Sequence, residues 1–258
     1  MFRHFVMAWH FLTAIPLTST HHDPIPSDLA RSMGWFPVVG LVLGILLAVS
    51  DLLLAAVFSP GIVNVLIIVI LVILTGGLHL DGLADSVDGL AGGQTVADRL
   101  RIMRDAHIGA VGATGLMLAL GLRYAALIAL PQSDRFALLL CMPAVGRWAM
   151  VVGGIGAPYA RREGGLAHPF LQQLSGRDVI GATVVLGIAY VLSVGLVGAL
   201  IGCVVIAAVA RGLTGLAQKL LGGITGDTLG ATNEIAEIVF LLMAPAIAGL
   251  GPHVFNLR

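Results

Sequence analysis

The sequence predicts an all-α protein, a polytopic transmembrane helix bundle of about six to seven spans with an amphipathic interfacial helix at its N-terminus. Of its 258 residues, 58% are hydrophobic and only 11% are charged, whereas soluble domains carry about a quarter charged residues. Several apolar runs also approach the ~20 residues that a helix needs to cross ~30 Å of hydrocarbon. No gap between them is long enough for a separate soluble domain, so residues 1–258 are predicted to form one integral membrane domain.

The apolar runs set the predicted spans, which are 35–58, 61–78, 108–130, 136–157, 179–210 and 235–250. The run 179–210 is long for one span and short for two. Gly195 and Gly198 lie near its middle and predict a turn, so we interpret it as two short or tilted helices. Residues 3–17 are typical of an amphipathic helix that lies in the membrane interface.

The basic residues predict the orientation. With two helices in 179–210, all polar linkers (18–34, 79–107, 158–178 and 211–234) lie on one side of the membrane. That side carries most of the positive charge: Arg31, Arg99, Arg101, Arg104, Arg161, Arg162, Arg177, Arg211 and Lys219. The other side carries Arg135 and Arg258. Because cytoplasmic loops are enriched in Lys and Arg, the linkers are expected on the cytoplasmic face of the membrane.

The strongest chemical motif directly follows the second apolar run and reads His79-Leu80-Asp81-Gly82-Leu83-Ala84-Asp85-Ser86-Val87-Asp88-Gly89. Asp81, Asp85 and Asp88 are spaced to share one face of a helix. Their mutual repulsion favours a hard divalent counter-ion, and Mg²⁺ prefers carboxylate oxygens and bridges to substrate phosphates. We therefore predict that the three aspartates bind Mg²⁺ and act in catalysis. The alternative is a solvated acidic loop.

Arginines follow this motif in Arg99-Leu100-Arg101-Ile102-Met103-Arg104-Asp105-Ala106-His107. Arginine beside a metal site is suited to clamp the oxygens of a pyrophosphate. We predict a functional role for Arg104 and Asp105. Arg99 and Arg101 are equally well explained as positively charged anchors of the next span.

A second acidic group lies late in the chain, where Thr225-Gly226-Asp227 precedes Glu234 and Glu237. The three acids share a helix face if a helix starts near Thr228. Glu237 would then lie within a span, where a charge needs a partner. Helix capping by Asp227 is the alternative.

Two arginines also fall inside predicted spans, where an unpaired charge is costly. Arg147 is expected to face a carboxylate or a substrate phosphate. For Arg123, a structural ion pair with Asp51 is as plausible as a functional role.

Taken together, these motifs resemble the cobalamin synthase family, whose members are adenosylcobinamide-GDP ribazoletransferases. The resemblance covers about residues 5–245. It is carried by the aspartate motif 79–89, Ile102-Met103-Arg104-Asp105, Tyr159-Ala160-Arg161, and Thr225-Gly226-Asp227-Thr228-Leu229-Gly230-Ala231.

The resemblance implies an Mg²⁺-dependent inner-membrane enzyme that joins adenosylcobinamide-GDP to α-ribazole or its 5′-phosphate and releases GMP. The catalytic residues expected from it are Asp81, Asp85, Asp88, Arg104 and Asp227. The expected substrate-binding residues are His79, Arg104, Asp105, Arg147, Arg161, Thr225, Glu234 and Glu237. The carboxylate that accepts the proton of the attacking hydroxyl, Asp88 or one of Asp227, Glu234 and Glu237, is left open.

Other functions are less well supported by the sequence. The net charge of zero gives no basic excess for binding nucleic acid. A transporter with an acidic ion path is one alternative, but such sites usually lie near the bilayer midplane between repeated halves, and no internal repeat is evident. Another Mg²⁺-dependent membrane transferase with a diphosphate substrate is a second. Association with a second copy or with other enzymes of the cobalamin pathway is left open.

Overall fold

The structure, a computed structural model, describes residues 2–17, 25–161 and 163–248. These residues are helical and contain no β-strand, only an isolated bridge between Tyr159 and Ile224. The helices are α1 (Phe2–Leu12), α2 (Pro26–Ser32), α3 (Phe36–Ala55), α4 (Pro60–Thr75), α5 (Leu78–Gly92), α6 (Val96–Ile102), α7 (Ala110–Ile128), α8 (Arg135–Gly154), α9 (His168–Gln172), α10 (Gly176–Leu221) and α11 (Gly226–Ala248), with a 3-10 turn at Met33–Trp35. The predicted all-α class is confirmed. Arg162, Arg258 and residues 249–250 of the last predicted span lie outside the described residues.

Five helical segments of the described chain are long and apolar enough to cross a bilayer, judged by length and composition. Helices α4 and α5 together would make a sixth, although they meet at an angle of 92°. Helix α10 enters this count as a single segment. These numbers agree with the polytopic bundle predicted from sequence.

Helix α10 has 46 residues and would be about 69 Å long if straight, more than twice the hydrocarbon thickness. It breaks at Gly195, whose φ of 75° and ψ of 170° suit only glycine. Across this break, a Cβ on Gly202 would lie 2.1 Å from the hydroxyl of Tyr190. The chain therefore folds back on itself at Gly195.

Contacts with α8 confirm that the two halves of α10 run antiparallel. Trp148 Nε1 donates a hydrogen bond to Thr183 in the first half. One and a half turns further along α8, the carbonyl of Gly153 accepts a hydrogen bond from Thr214 in the second half. Both halves thus reach the same end of α8, and the predicted interpretation of 179–210 as two helices is confirmed.

Helix α8 is the centre of the bundle, and 17 of its 20 residues are buried. It packs closely against α3 at two glycines. A Cβ on Gly40 would lie 2.4 Å from Ala144 Cα, and one on Gly44 would lie 2.0 Å from the Leu140 carbonyl oxygen. Small residues allow such backbone approach between membrane helices.

Helix α5, which carries the aspartate motif, turns away from α4 at two consecutive glycines. Gly76 and Gly77 have φ values of 63° and 73°, in the left-handed region that glycine adopts without steric cost. Gly76 ends α4 as its C-cap, and Gly77 begins α5 as its N-cap. This turn directs the aspartates across the end of the bundle instead of along α4.

The N-terminal helix α1 packs on the same end of the bundle. It buries Trp9 and Leu12. The Phe11 ring lies 5.9 Å from that of Phe36 and 4.3 Å from that of Phe170. The predicted amphipathic helix therefore contributes an aromatic wall next to α5.

The α3–α8 contact makes a testable stability difference between glycines. Gly44→Ala should destabilise the protein by about 1–3 kcal/mol because the added methyl group must displace the backbone of α8. Gly121→Ala, in α7, is the matched control because nothing lies within 4 Å of its Cβ position. Thermal unfolding of the two variants in the same detergent measures the difference, and equal midpoints would contradict the close packing described here.

Candidate active site

The two acidic segments predicted from sequence meet where α5 crosses the start of α11. A Cβ on Gly82 would lie 2.8 Å from the carbonyl oxygen of Asp227, and one on Gly230 would lie 3.3 Å from His79. These two glycines let the helix backbones touch. The contact at Gly82 brings Asp81 and Asp85 to the same place as Asp227.

Three cavities meet at Asp81, which lines all of them. The inner cavity, about 160 Å³, lies between α5, α11 and the loop after α8. The residues that matter most for its chemistry are Phe11, His79, Asp81, Tyr159, Arg161 and Asp227. It therefore combines aromatic rings with two carboxylates and a guanidinium.

The second of these spaces, the Arg104 cavity, has a volume of about 280 Å³. It is lined by residues that include Asp81, Ala84, Asp85, Arg104, Asp105 and Ile108. Both acidic and basic side chains thus line it.

The third space, the outer bay, has a volume of about 590 Å³ and is open to the surroundings. It lies beside the α4–α5 turn and the start of α7, and its lining includes Phe11, Thr75, Gly76, Leu80, Asp81 and Leu116. Among the described residues that line this bay, Asp81 alone is charged. The bay is therefore a mainly apolar approach to the same carboxylate.

The ionised form of Asp85 is disfavoured by its surroundings in this arrangement. Helix α5 is not one of the five spanning segments, and Asp85 faces the Arg104 cavity. Partial burial, followed by the negative charge of Asp81, raises the pKa of Asp85 to about 6, with a smaller contribution from Asp227. A nearby positive charge would relieve this repulsion.

Asp88 has a different environment from the other two aspartates. Its two carboxylate oxygens accept hydrogen bonds of 2.7 Å from the backbone N–H groups of Gly109 and Gly112. It thus binds the N-terminus of α7, where backbone donors and the helix dipole favour an anion. A Cβ on either glycine would collide with this carboxylate.

Asp227 is held at the start of α11 by two side chains. Its Oδ2 accepts a hydrogen bond of 2.6 Å from Arg161 and one of 3.3 Å from Thr225. Thr225 is itself buried, and its hydroxyl also accepts the backbone N–H of Thr228, which caps the helix. The predicted substrate-binding Thr225 therefore orients Asp227 in this structure.

The loop after α8 is fixed to the start of α11 by backbone hydrogen bonds. Ala160 N–H donates to the Ile224 carbonyl at 2.9 Å, and Ile224 N–H donates to the Pro158 carbonyl at 2.8 Å. This pairing places Tyr159 and Arg161 at the wall of the inner cavity. Neighbouring Glu163 forms an exposed ion pair with Arg104. This contact links two loops and was not predicted from the sequence.

Behind the cavities lies a buried network of four charges. Arg123 donates to Glu234 at 2.9 Å and to Glu237 at 2.8 Å, and Arg147 donates to Glu237. Asn233 donates to both carboxylates at 3.2 Å. The formal charges cancel, and the network joins α7, α8 and α11.

This network touches the inner cavity through His79. Arg147 Nη2 lies 3.5 Å from His79 Nδ1, while His79 Nε2 is buried and has no hydrogen-bond partner among the described residues. Of the two partners expected for Arg147, a carboxylate or a substrate phosphate, the structure provides a carboxylate, that of Glu237. Arg147, Glu234 and Glu237 do not line any of the three cavities. Direct substrate binding by these residues therefore stays a prediction.

The suggested pairing of Arg123 with Asp51 is wrong. Asp51 instead binds Arg135 through hydrogen bonds of 2.7–3.0 Å. Arg135 also donates to Asn64 at 2.6 Å and to the Leu127 carbonyl at 2.8 Å. This cluster lies at the opposite end of the bundle from the three cavities. Arg123 is instead bound to Glu234 and Glu237.

No group of three or more His, Cys, Asp or Glu side chains converges as a preformed metal site within the described residues. The donor chemistry nevertheless suits Mg²⁺. Asp81 and Asp85 lie one helical turn apart at the Arg104 cavity, and Mg²⁺ commonly uses one or two carboxylates together with water and substrate phosphates. The residues present therefore fit a metal completed by substrate.

The buried network should dominate the stability of this end of the bundle. Glu237→Gln removes the carboxylate that two arginines share, and breaking a buried ion pair on one side costs about 3–5 kcal/mol. We expect a large fall in the thermal midpoint. The exposed Glu163→Gln is the matched control and should change it little, because exposed pairs contribute about 0–1 kcal/mol. Similar midpoints for the two variants would contradict this role.

Comparison with known proteins places these features in a family context. The profile of the family described as Cobalamin-5-phosphate synthase matches residues 4–245. A relative from Syntrophobacter fumaroxidans named adenosylcobinamide-GDP ribazoletransferase is 40% identical over 245 residues, covering 95% of this chain and 98% of the relative. Relatives of the same name from Geotalea daltonii and Pseudomonas savastanoi are 41% and 39% identical, covering 96% and 92% of this chain and 99% and 97% of their own lengths. No solved structure matches the chain.

Proposed function

Since the chain belongs to the cobalamin-5-phosphate synthase family, we propose that it is an adenosylcobinamide-GDP ribazoletransferase of the inner membrane. It would transfer the adenosylcobinamide-phosphate group from adenosylcobinamide-GDP to a ribose hydroxyl of α-ribazole or α-ribazole 5′-phosphate and release GMP. The observation that carries the proposal is the meeting of three cavities at Asp81, between the carboxylates of α5 and the cations Arg104 and Arg161.

Mg²⁺ is the proposed cofactor, held by Asp81 and Asp85. When bound, it would neutralise charge on the diphosphate and stabilise the departing GMP. The raised pKa of Asp85 and the repulsion from Asp81 support a cation at this position. Asp88 has both oxygens occupied by α7, so its proposed contribution is to hold α7 against α5, with any metal contact made through its remaining lone pairs.

Different residues of the chain have different roles in the transfer. Arg104 lies where it can donate to the diphosphate oxygens, and Asp105 lines the same cavity. The attacking hydroxyl forms a bond to the phosphorus that stays on cobinamide, while the bond from that phosphorus to the GMP oxygen breaks. The proton of the attacking hydroxyl goes to a carboxylate.

We infer that Asp227 accepts this proton. Its Oδ2 is bound by Arg161 and Thr225, which leaves Oδ1 for the substrate. Asp88 is committed to α7, and Glu234 and Glu237 are paired with Arg123 behind the cavities. Asp227 is the candidate among these four that lines a cavity at Asp81.

The direct test is GMP release by purified protein from adenosylcobinamide-GDP and α-ribazole 5′-phosphate, with Mg²⁺ or with EDTA. We expect GMP and the matching corrinoid product only with Mg²⁺. Equal turnover in EDTA would remove the metal from the proposal. Folded protein that forms no product would overturn the substrate assignment.

Asp85→Asn should lower turnover by at least about 100-fold without lowering the thermal midpoint, because it removes a metal ligand and relieves repulsion in the folded state. Asp88→Asn is the informative comparison and should lower the midpoint, because it disrupts the bond to α7. Initial rates and unfolding curves of both variants provide the measurement. If Asp85→Asn retains normal turnover, the metal site is wrongly placed.

Asp227→Asn should lower kcat by about 10²–10⁴-fold, the usual contribution of a general base. Binding of Mn²⁺, monitored by its electron paramagnetic resonance signal, should persist because Asp81 and Asp85 are intact. The exposed Asp98, whose carboxylate accepts a hydrogen bond from Thr95 at the N-cap of α6, gives the control variant Asp98→Asn. An unchanged kcat in Asp227→Asn would exclude this residue as the base.

The orientation remains a proposal based on charge. The basic residues of the described linkers lie at the same end of the bundle as the cavities; Arg99, for example, donates to the carbonyl of Leu220 at 2.9 Å, and Arg211 donates to that of Ile155 at 3.0 Å. By the positive-inside rule, we infer that the active site faces the cytoplasm, where nucleotide substrates are available.

A further inference from the structure

We propose that the two substrates reach Asp81 through different cavities. Adenosylcobinamide-GDP occupies the outer bay and the Arg104 cavity, and the α-ribazole acceptor occupies the inner cavity. This assignment rests on the proposed function and adds the location of each substrate, which determines the residues that select the base of the acceptor.

The connections between the cavities provide the first argument. Adenosylcobinamide-GDP is one molecule, in which a diphosphate joins the corrinoid to guanosine, so its parts need adjoining spaces. The Arg104 cavity and the outer bay share Asp81, Ala84 and Ile108. Among the described residues, the Arg104 cavity and the inner cavity share only Asp81, whereas the inner cavity and the bay share Phe11, Leu78 and Asp81. A diphosphate beside Arg104 is therefore continuous with the bay.

Size and exposure agree with this assignment. The bay has about 590 Å³ and is open, whereas the inner cavity has about 160 Å³. A corrin ring with its amide side chains is much larger than either volume, so it requires a space that is open on one side. The bay offers an apolar floor at Leu80 and Leu116 against which one edge of such a ring can pack.

The inner cavity suits a small nucleoside with a flat, apolar base. Phe11 and Tyr159 provide aromatic surfaces, and Met150 adds a flexible apolar side chain. Asp227 and Asp81 line the same cavity and are available to a ribose hydroxyl. A benzimidazole nucleoside placed in this way has its base on the rings and its hydroxyl directed at the phosphorus.

The arrangement also fits the geometry of phosphoryl transfer. The attacking and leaving oxygens must lie roughly in line on opposite sides of the phosphorus. Among the described residues the inner cavity and the Arg104 cavity share Asp81 alone, so an acceptor in one and departing GMP in the other occupy separate spaces beside the reacting phosphorus.

The test is a crossed pair of variants with KM measured for each substrate at saturating concentration of the other. Tyr159→Leu should raise KM for α-ribazole 5′-phosphate about tenfold, the scale of losing one apolar contact surface, and leave KM for adenosylcobinamide-GDP within twofold. Leu116→Trp, which fills the bay, should do the reverse.

Two matched controls keep the test specific. Tyr124→Leu makes the same change near Gly61 at the far end of the bundle, and Leu118→Trp makes it at an exposed apolar position of α7. Both should leave both KM values unchanged. Leu166→Trp, at an exposed residue that also lines the inner cavity, replaces Tyr159→Leu if that variant does not fold, and should likewise raise KM for the acceptor alone.

The outcomes separate this inference from the proposed function. Wild-type turnover with the crossed pattern of KM values supports both. Wild-type turnover with the reverse pattern, or with both KM values raised equally by each variant, overturns the cavity assignment and leaves the activity standing. Direct titration of the fluorescent α-ribazole into folded protein provides a second readout, and unchanged binding by the inner-cavity variant would also overturn the assignment.

Discussion

The buried charge network centred on Glu237 is the interaction on which the rest of this structure depends. Arginines from α7 and α8 meet at this α11 carboxylate, and each would be costly to bury alone. If any of these ion pairs were missing, an unpaired charge would be buried in an apolar bundle. The three helices therefore have one favourable arrangement relative to one another. That arrangement fixes the start of α11, and hence Asp227, with respect to α5.

Glycines let the helices approach closely enough for this arrangement to form a site. Gly146 lies where any Cβ would strike Asn233 and Glu237, so α8 can approach the network only with glycine at that position. Gly82 and Gly230 do the same between α5 and α11, and the Gly76–Gly77 turn rotates α5 across the end of the bundle. The aspartates thus gather at an end of the bundle that is accessible to large polar substrates, while the charges that hold them in place remain buried.

Much of this architecture could be predicted from the sequence. Apolar run length identified the spans, and a run of 32 residues containing Gly195 correctly indicated a turn, because neither one span nor two full spans fits that length. The motifs around Asp81 and Asp227 correctly marked the segments that meet. What failed was the pairing of side chains. Arg123 and Asp51 are both charges inside apolar runs, and sequence alone does not say at which end of the bundle each helix places its charge.

The distinct roles of the three aspartates show the same limit on a smaller scale. Helical spacing correctly put Asp81, Asp85 and Asp88 on one helix but could not show that the start of α7 presents Gly109 and Gly112 to the last of them. A carboxylate that binds a helix N-terminus and one that is free to bind a cation have the same spacing in sequence; the difference lies in what packs against each. Here α7 closes one end of the acidic face, and the cavities remain open at the other. Asp81 is therefore the acid that lines all three cavities, and its position at the start of α5, just after the double-glycine turn, gives the proposed reaction a single meeting point for its two substrates.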